Sequence, residues 1–407
     1  MNKCFITKLP SSVDNDNLPV LGQLKISWLK QNNLTNNDAR AIGLATNDSI
    51  VVKVSGAHLT DNTLTSNLGN TKTITAANGF VWLYVSNDTD ATLTIDNKYA
   101  LTQINAPKQA DGENSIYFDI EDIKYCTNLT ALILSHTQVS GDISAVSKLT
   151  NLTVLNLPSK QVSGDISAVS KLTNLTHLIL SSTQVSGDIS AVSKLTNLIA
   201  INLSHTQVSG DISAVSKRTN LTILNLPYTQ VSGDISAVSK LTNLIAINLS
   251  HTQVSGDISA VSKLTNLTAL NLSHTQVSGD IDNLAALSKL IDNINLKDLA
   301  LTGDMSKIPA GVYIISQNGR KVTTNFTWTA NGRQNATLLA MEGAIPFDTA
   351  SMDNMLIDQA TCTFKGKDSQ PLTKIISVKG TRTSASDAAV TAIQSKGITI
   401  TGVTKQA

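Results

Sequence analysis

Aromatic side chains make up only 4% of this 407-residue chain, and charged ones only 15%. The shortage of Phe, Trp and Tyr argues against a large aromatic-lined pocket. A formal net charge of +1 leaves no electrostatic footprint for nucleic acid or an anionic membrane. Cysteine is rare as well: Cys4, Cys126 and Cys362 are odd in number and far apart, which fits neither a disulfide framework nor a zinc site. No apolar run reaches the roughly 18 residues a membrane span needs. The start MNKCFITKLPSSVDNDNLPV lacks the apolar core of a secretory signal, so neither export nor a membrane span is expected from these residues.

What the chain has in abundance is Thr, Asn, Ser, Leu and Ile, a composition suited to stacked β structure with a hydroxyl- and amide-rich surface. Much of it comes from one phrase. QVSGDISAVSK occurs verbatim six times, beginning at Gln138, Gln161, Gln184, Gln207, Gln230 and Gln253. The glycines Gly141, Gly164, Gly187, Gly210, Gly233, Gly256 and Gly279 are each 23 residues apart, and Gly303 follows after 24. A fixed period of this size predicts a solenoid. It divides the chain into a head at residues 1–117, a solenoid of eight or nine units at residues 118–304, and a tail at residues 305–407.

Within one unit each apolar position has a physical role. Leu132 and Leu134 alternate with Ala131 and Ile133, so one pair points inward and the other outward from a short strand. Val139, Ile143, Val146 and Leu149 point inward after the turn, and Cys126 falls in register with Leu149 as a core residue. Gly141 permits a tight path, and Asp142 is placed to cap a helical turn that begins at Ile143. One unit cannot bury this set alone, whereas a stack buries a continuous core. IEDIKYCTNL, from Ile120, keeps the phase without the Gly, as a terminal capping unit would.

The flanks read differently. In the head, QLKISWL, SIVVKVSG, GFVWLYVS and ATLTIDNKYALTQI alternate apolar and polar residues between Asn, Asp and Gly clusters, predicting a small antiparallel β domain of sandwich type. The tail predicts a hairpin around Asn318 and Gly319. After it come a helix carrying Met352, Met355, Leu356 and Ala360 on one face behind an Asp348 cap, a strand at KIISVKG, a helix ended by Gly397, and a closing strand at ITITGV. This α/β segment is expected to extend the solenoid and shield its open end. The fold class is therefore mixed α/β: a parallel-ladder solenoid between a β head and an α/β tail.

The repeat pattern, LxxLxLSHTQVSGDISAVSKLTN, resembles the leucine-rich repeat family, and DISAVSKLTNLTALNL is similar to the repeats of bacterial internalins. Where that family usually has Asn, this chain has Thr137, Thr183, Thr206, Thr229, Thr252 and Thr275, with Lys160 as the exception. Hydroxyl groups or water must then replace the family's amide ladder. The head phrases NKCFITKLP and NKYALTQI and the tail phrase TSASDAAVTAIQSKG resemble proteins of gut Bacteroides and their phages. Such a resemblance implies a non-catalytic attachment or structural protein, such as a phage tail or head appendage, that binds a protein or glycan surface. The alternative it implies is a cell-surface adhesin of the internalin kind. Either setting, virion or cell surface, allows a homo-oligomer or larger assembly through the head.

In the leucine-rich repeat family function sits on the outward strand positions. Here the first such column is Ala131, Val154, His177, Ala200, Ile223, Ala246, Ala269 and Asn293. The second is Ile133, Asn156, Ile179, Asn202, Asn225, Asn248, Asn271 and Asn295. A third alternates Ser with Pro158 and Pro227 and ends at Lys297. The candidate ligand-binding residues are Asn156, His177, Asn202, Asn225, Tyr228, Asn248, Asn271 and Asn295. Their amides can bond a ligand such as a glycan or satisfy one another along the ladder.

Three further columns have simpler readings. His136, His205, His251 and His274, with Tyr228 in the same register, could place imidazoles on adjacent rungs for a metal, but no carboxylate column accompanies them. The Asp column, from Asp119 through Asp142 to Asp304, offers an oxygen on every rung, yet each Asp stands alone in its turn, which reads as helix capping rather than calcium binding. The Lys column from Lys148 to Lys263 lines a solvated face, and Arg218, in place of Leu, is expected to snorkel at the core's edge. No GxSxG, HExxH, P-loop or GxGxxG arrangement stands in a usable context, so no enzyme, metal or cofactor is expected.

Overall fold

The computed structural model describes residues 119–134, 139–158, 161–290, 293–307, 347–361 and 376–406 most fully, with further strands of the head and tail described by their backbone pairing. The chain forms two compact units, Met1–Val208 and Ser209–Ala407. Each contains its own run of stacked rungs.

In the first unit, Leu24–Trp28 pairs antiparallel with Ala91–Ile95 and with Ile116–Tyr117. Ser49–Ser55 pairs antiparallel with Phe80–Ser86 and with Gln103–Asn105. Gln103–Asn105 then runs parallel to Ala131–Ile133, so the head is hydrogen-bonded directly onto the first rung. From there Ala131–Ile133, Val154–Asn156, His177–Ile179 and Ala200–Asn202 form a parallel ladder in which Leu132, Leu155, Leu178 and Ile201 are partners.

The second unit repeats this arrangement with Ile223–Asn225, Ala246–Asn248, Ala269–Asn271 and Asn293–Asn295. The ladder then continues in parallel through Tyr313–Ser316, Leu339–Pro346, Ile375–Arg382 and Thr399–Lys405. Parallel neighbours flank Tyr313 and Ile314 on one edge and Tyr313–Ser316 on the other. The turn residues Asn318 and Gly319 of the expected hairpin lie outside the described residues. The helices Thr349–Thr361 and Asp387–Ser395 connect the last parallel strands. Asp348 caps the first by accepting the Ser351 N–H at 2.8 Å. Gly397, at φ +76°, ends the second.

The period of 23 produces this stack because each rung has one face of branched aliphatics. Leu132, Leu155, Leu178, Val139, Ile143, Val146 and Leu149 are fully buried, and so is Cys126. Burying each such side chain contributes about 1.5–3 kcal/mol, and a rung gains it only when a neighbour covers it. A second parallel ladder, formed by the QVSGD segments, runs along each unit, as in Gln230–Asp234, Gln253–Asp257 and Gln276–Asp280. After it the chain returns through a short 3₁₀ helix capped by the Asp: Asp142 accepts the Ser144 N–H at 2.7 Å, and Asp234 accepts that of Ser236 at 2.7 Å. Arg218 differs from expectation. It is 3% exposed, at the depth of the Leu it replaces. Desolvation there depresses its pKa.

Candidate functional site

Of the expected outward strand positions Ala131 and Ala200 are buried, at 7% exposure, and the Asn column does not bond to itself among the described residues. Asn202 Oδ1 accepts the Ser204 N–H at 3.1 Å. Asn248 accepts both the N–H and the hydroxyl of Ser250, at 3.1 and 2.9 Å, and Asn271 does the same for Ser273 at 3.1 and 2.8 Å. Asn295 accepts the Lys297 N–H at 3.2 Å. Each of these amides thus ties down the turn that follows its own strand, as Asn side chains do when they bond backbone two residues on.

Asn156 and Asn225 are the exceptions. Their Oδ1 atoms are buried without a hydrogen-bond partner. The reason lies two residues on, where Pro158 and Pro227 stand in place of the other rungs' donors and have no N–H to give. Of the candidate ligand residues, Asn156, His177 and Asn202 belong to the first unit, and Asn225, Tyr228, Asn248, Asn271 and Asn295 to the second. His177 Nδ1 is occupied by the Thr176 hydroxyl at 2.9 Å.

The histidine register occupies a strained position. Ser182, His205, Tyr228, His251, His274 and Asp298 all lie at φ between 55 and 59°, a left-handed region in which His, Asn and Asp are enriched among non-glycine residues. His136 is outside the described residues. In the second unit Tyr228 stacks on His251, and His251 on His274, with ring centroids 4.2 Å apart in both pairs and interplanar angles of 13 and 24°. His274 Nδ1 lies 3.0 Å from Asp298 Oδ2. Desolvation, followed by the neighbouring His274, pushes the His251 pKa below its ordinary 6.5. Rings stacked face to face present their nitrogens side by side rather than converging on one point. Among the described residues no group of three or more His, Cys, Asp or Glu side chains could hold a metal ion.

Thr takes over the turn of the rung, within its own unit of sequence. The buried hydroxyls of Thr183, Thr206, Thr229, Thr252 and Thr275 donate to the carbonyls of Leu180, Leu203, Leu226, Leu249 and Leu272 at 2.6–2.8 Å. Thr137 and Lys160 lie outside the described residues. The amide ladder has moved to the return side. There Asn151, Asn174 and Asn197 in the first unit donate to the carbonyls of Thr127, Thr150 and Thr173, and Asn243 and Asn266 in the second donate to those of Thr219 and Thr242, at 2.9–3.0 Å.

The same return side carries shallow polar grooves. One of about 580 Å³ in the first unit is lined by Asp142, Asp165, Lys148, Lys171 and serines, and one of about 760 Å³ in the second by the equivalent Asp234, Asp257, Lys240 and Lys263. Each balances two carboxylates with two ammonium groups. Neither offers a field of one sign to a ligand.

Exposed apolar or aromatic side chains in and beside the strands include Ile199 in the first unit and Ile223, Ile245 and Tyr228 in the second. Ile245 lies on the rung after Ile223, and its N–H donates to the Thr222 carbonyl at 2.8 Å. No described helix is long and apolar enough to cross a membrane.

No family profile and no curated protein matches the chain. Solved structures do. One is the plant peptide hormone receptor RGFR1 in complex with RGF2, 20% identical over 72% of this chain and 54% of that one, with a TM-score of 0.49. The chain thus spans about half of that receptor's length. Two others are internalins of Listeria monocytogenes: internalin C2, 28% identical over 51% of this chain and 84% of that one at a TM-score of 0.39, and InlF, 21% identical over 77% and 85% at 0.47. The in-register parallel strands, the inward Leu set of every rung and the capped 3₁₀ return give the 23-residue units of this chain the fold of a leucine-rich-repeat-type solenoid.

Proposed function

We propose that this chain is a non-catalytic attachment protein whose leucine-rich repeats present the outward strand face to a protein or glycan surface. The observation that carries the reading is the near-identity of successive rungs. Six verbatim copies of one phrase offer the same small set of contacts again and again, which suits many weak contacts to a repetitive or multivalent surface rather than one deep pocket. The setting we favour is an appendage of a virion, with the head contributing to assembly or to a homo-oligomer. The alternative is an adhesin on a bacterial cell surface. The short head and tail phrases support the first setting, and the internalin-like repeat phrase supports the second.

The test is capture of purified chain on protein and glycan arrays, together with its fractionation in the source culture. Saturable binding, and recovery with purified particles or on intact cells, is the expected result. A chain that binds neither array and fractionates with neither particles nor cell surfaces would contradict the reading.

A further inference from the structure

We propose that the return side of the second unit is self-complementary in charge and joins this chain to a second copy of itself. The Asp column of each copy lies against the Lys column of the other. The contact goes beyond the attachment reading, because it uses the return side of the rung and leaves the outward strand face uncovered.

Both columns belong to one short element of the rung. The 3₁₀ helices Ile212–Val215, Ile235–Val238 and Ile258–Val261 each start from a capping Asp, and a lysine follows two residues after each ends. Asp211, Asp234 and Asp257 therefore stand before the helices and Lys217, Lys240 and Lys263 after them, and all six are exposed. Rungs stacked at the parallel-strand spacing of about 4.8 Å turn each set into a column. The groove of about 760 Å³ has Asp234 and Asp257 as well as Lys240 and Lys263 in its wall, so both columns border one open surface. Their charges remain open to a partner. Oδ1 of Asp211, Asp234 and Asp257 accepts the N–H of Ser213, Ser236 and Ser259 at 2.7–2.8 Å, which leaves most of each carboxylate's acceptor capacity facing water. Among the described residues no ion pair joins Lys217, Lys240 or Lys263 to a carboxylate. The first unit carries the same columns, but there the Lys148 ammonium already lies 5.9 Å from the centre of the Tyr125 ring.

Symmetry chooses the partner. A surface with one acidic and one basic column attracts neither a polyanion nor a polycation, yet it fits its own image. A two-fold axis running along the columns exchanges left and right, so that acid lies over base twice in one isologous contact. A two-fold axis across the columns would set acid over acid and base over base, which repel. The two copies therefore run in the same direction. Because both present the same rung period, every Asp of one meets a Lys of the other in step. Exposed ion pairs are individually weak and screened by salt, so the contact depends on several rungs acting together and is lost at high ionic strength.

The experiment is sedimentation equilibrium of the full chain at about 0.05 M and about 0.5 M salt, after matched thermal melts. An acidic variant carries Lys217→Glu, Lys240→Glu and Lys263→Glu. A cationic variant carries Asp211→Asn, Asp234→Asn and Asp257→Asn, which keeps the helix caps because Asn caps as well as Asp. Wild type should form a dimer at low salt whose dissociation constant rises about tenfold or more at high salt. Each variant alone should associate about tenfold more weakly than wild type at low salt, and an equimolar mixture of the two should associate several-fold more tightly than either alone. A wild type that stays monomeric at low salt would overturn the proposal. So would variants that self-associate as wild type does, which would place the contact on another surface such as the head, or a mixture no tighter than its components. Each of these results leaves attachment through the strand face standing, since that is read by capture on the arrays.

Discussion

The Asp142 carboxylate lies over the α-carbon of Gly164, one rung further on, so closely that a β-carbon there would come within 2.5 Å of Oδ1. The same carboxylate holds the Ser144 N–H at 2.7 Å. Asp234 and Gly256 repeat the relationship in the second unit, with 2.6 Å to Oδ1. The Gly of SGD therefore meets two demands. It takes φ near +101°, and it leaves room for the helix cap of the rung before. Asp and Gly recur together because each cap needs the next rung's missing side chain.

This relationship predicts non-additive mutations. Gly164→Ala combines left-handed strain with a clash and should destabilise by about 2–4 kcal/mol. Asp142→Ala, which loses a cap, should cost about 0.5–2 kcal/mol. In the Asp142→Ala background the clash is gone, so Gly164→Ala should cost markedly less. A double-mutant cycle by urea denaturation reads the coupling, and purely additive effects would show that the two residues act independently.

Proline at Asn-capped turns predicts a gain on reversion. Pro227→Ser restores the N–H that Asn225 Oδ1 lacks and should recover about 1–3 kcal/mol, offset by about 0.4–1 kcal/mol from the freer unfolded chain. A raised urea midpoint with an unchanged slope is expected, and Pro158→Ser should behave alike. Asn225→Ala should leave stability nearly unchanged, whereas Asn271→Ala should lower it.

Acid should weaken the second unit through His251. Its folded pKa lies below the ordinary 6.5 because burial and His274 oppose its charge. The unfolded chain therefore binds more protons in this window, and stability falls as pH drops through 6.5 toward the folded value. Above that range the effect is absent. Thermal midpoints measured across this window should decline in wild type and decline less in His251→Gln. Asp298, beside His274, acts in the opposite sense on this site.

The amide ladder on the return side makes a fourth prediction. Asn243 donates to the Thr219 carbonyl at 2.9 Å from an exposed position. Asn243→Ala should therefore cost about 0.5–1.5 kcal/mol, the worth of one net hydrogen bond. A change in urea midpoint with no change in far-ultraviolet circular dichroism would match this.

Much of the rung can be read from the sequence, because burial and capping are local. Leu132 and Leu134 point inward, and Asp142 caps, as their spacing demands. Contacts that join one rung to another are harder to see. The Asp142–Gly164 fit spans 22 residues and the Asn151 bond to Thr127 spans 24, so neither follows from a pattern read within one unit. Arg218 illustrates the same limit, since its burial depends on what the stacked rungs leave around it. The strand-side site was half legible. Asn225 and Tyr228 stand out as members of columns, whereas the exposure of Ile245, which precedes its strand, depends on how the rungs stack. The signal that separates Asn225 from its siblings is a proline two residues on, whose meaning depends on knowing that the amide holds that N–H.

The most direct test of attachment through the strand face compares two faces of one molecule. Surface binding of labelled chain is measured for wild type, for Ile223→Asp with Asn248→Asp and Asn271→Asp, and for Lys240→Glu with Lys263→Glu on the return side. The account predicts that the strand-face variant loses binding while the return-face variant keeps it. Loss confined to the return-face variant, or equal binding by all three, would contradict it.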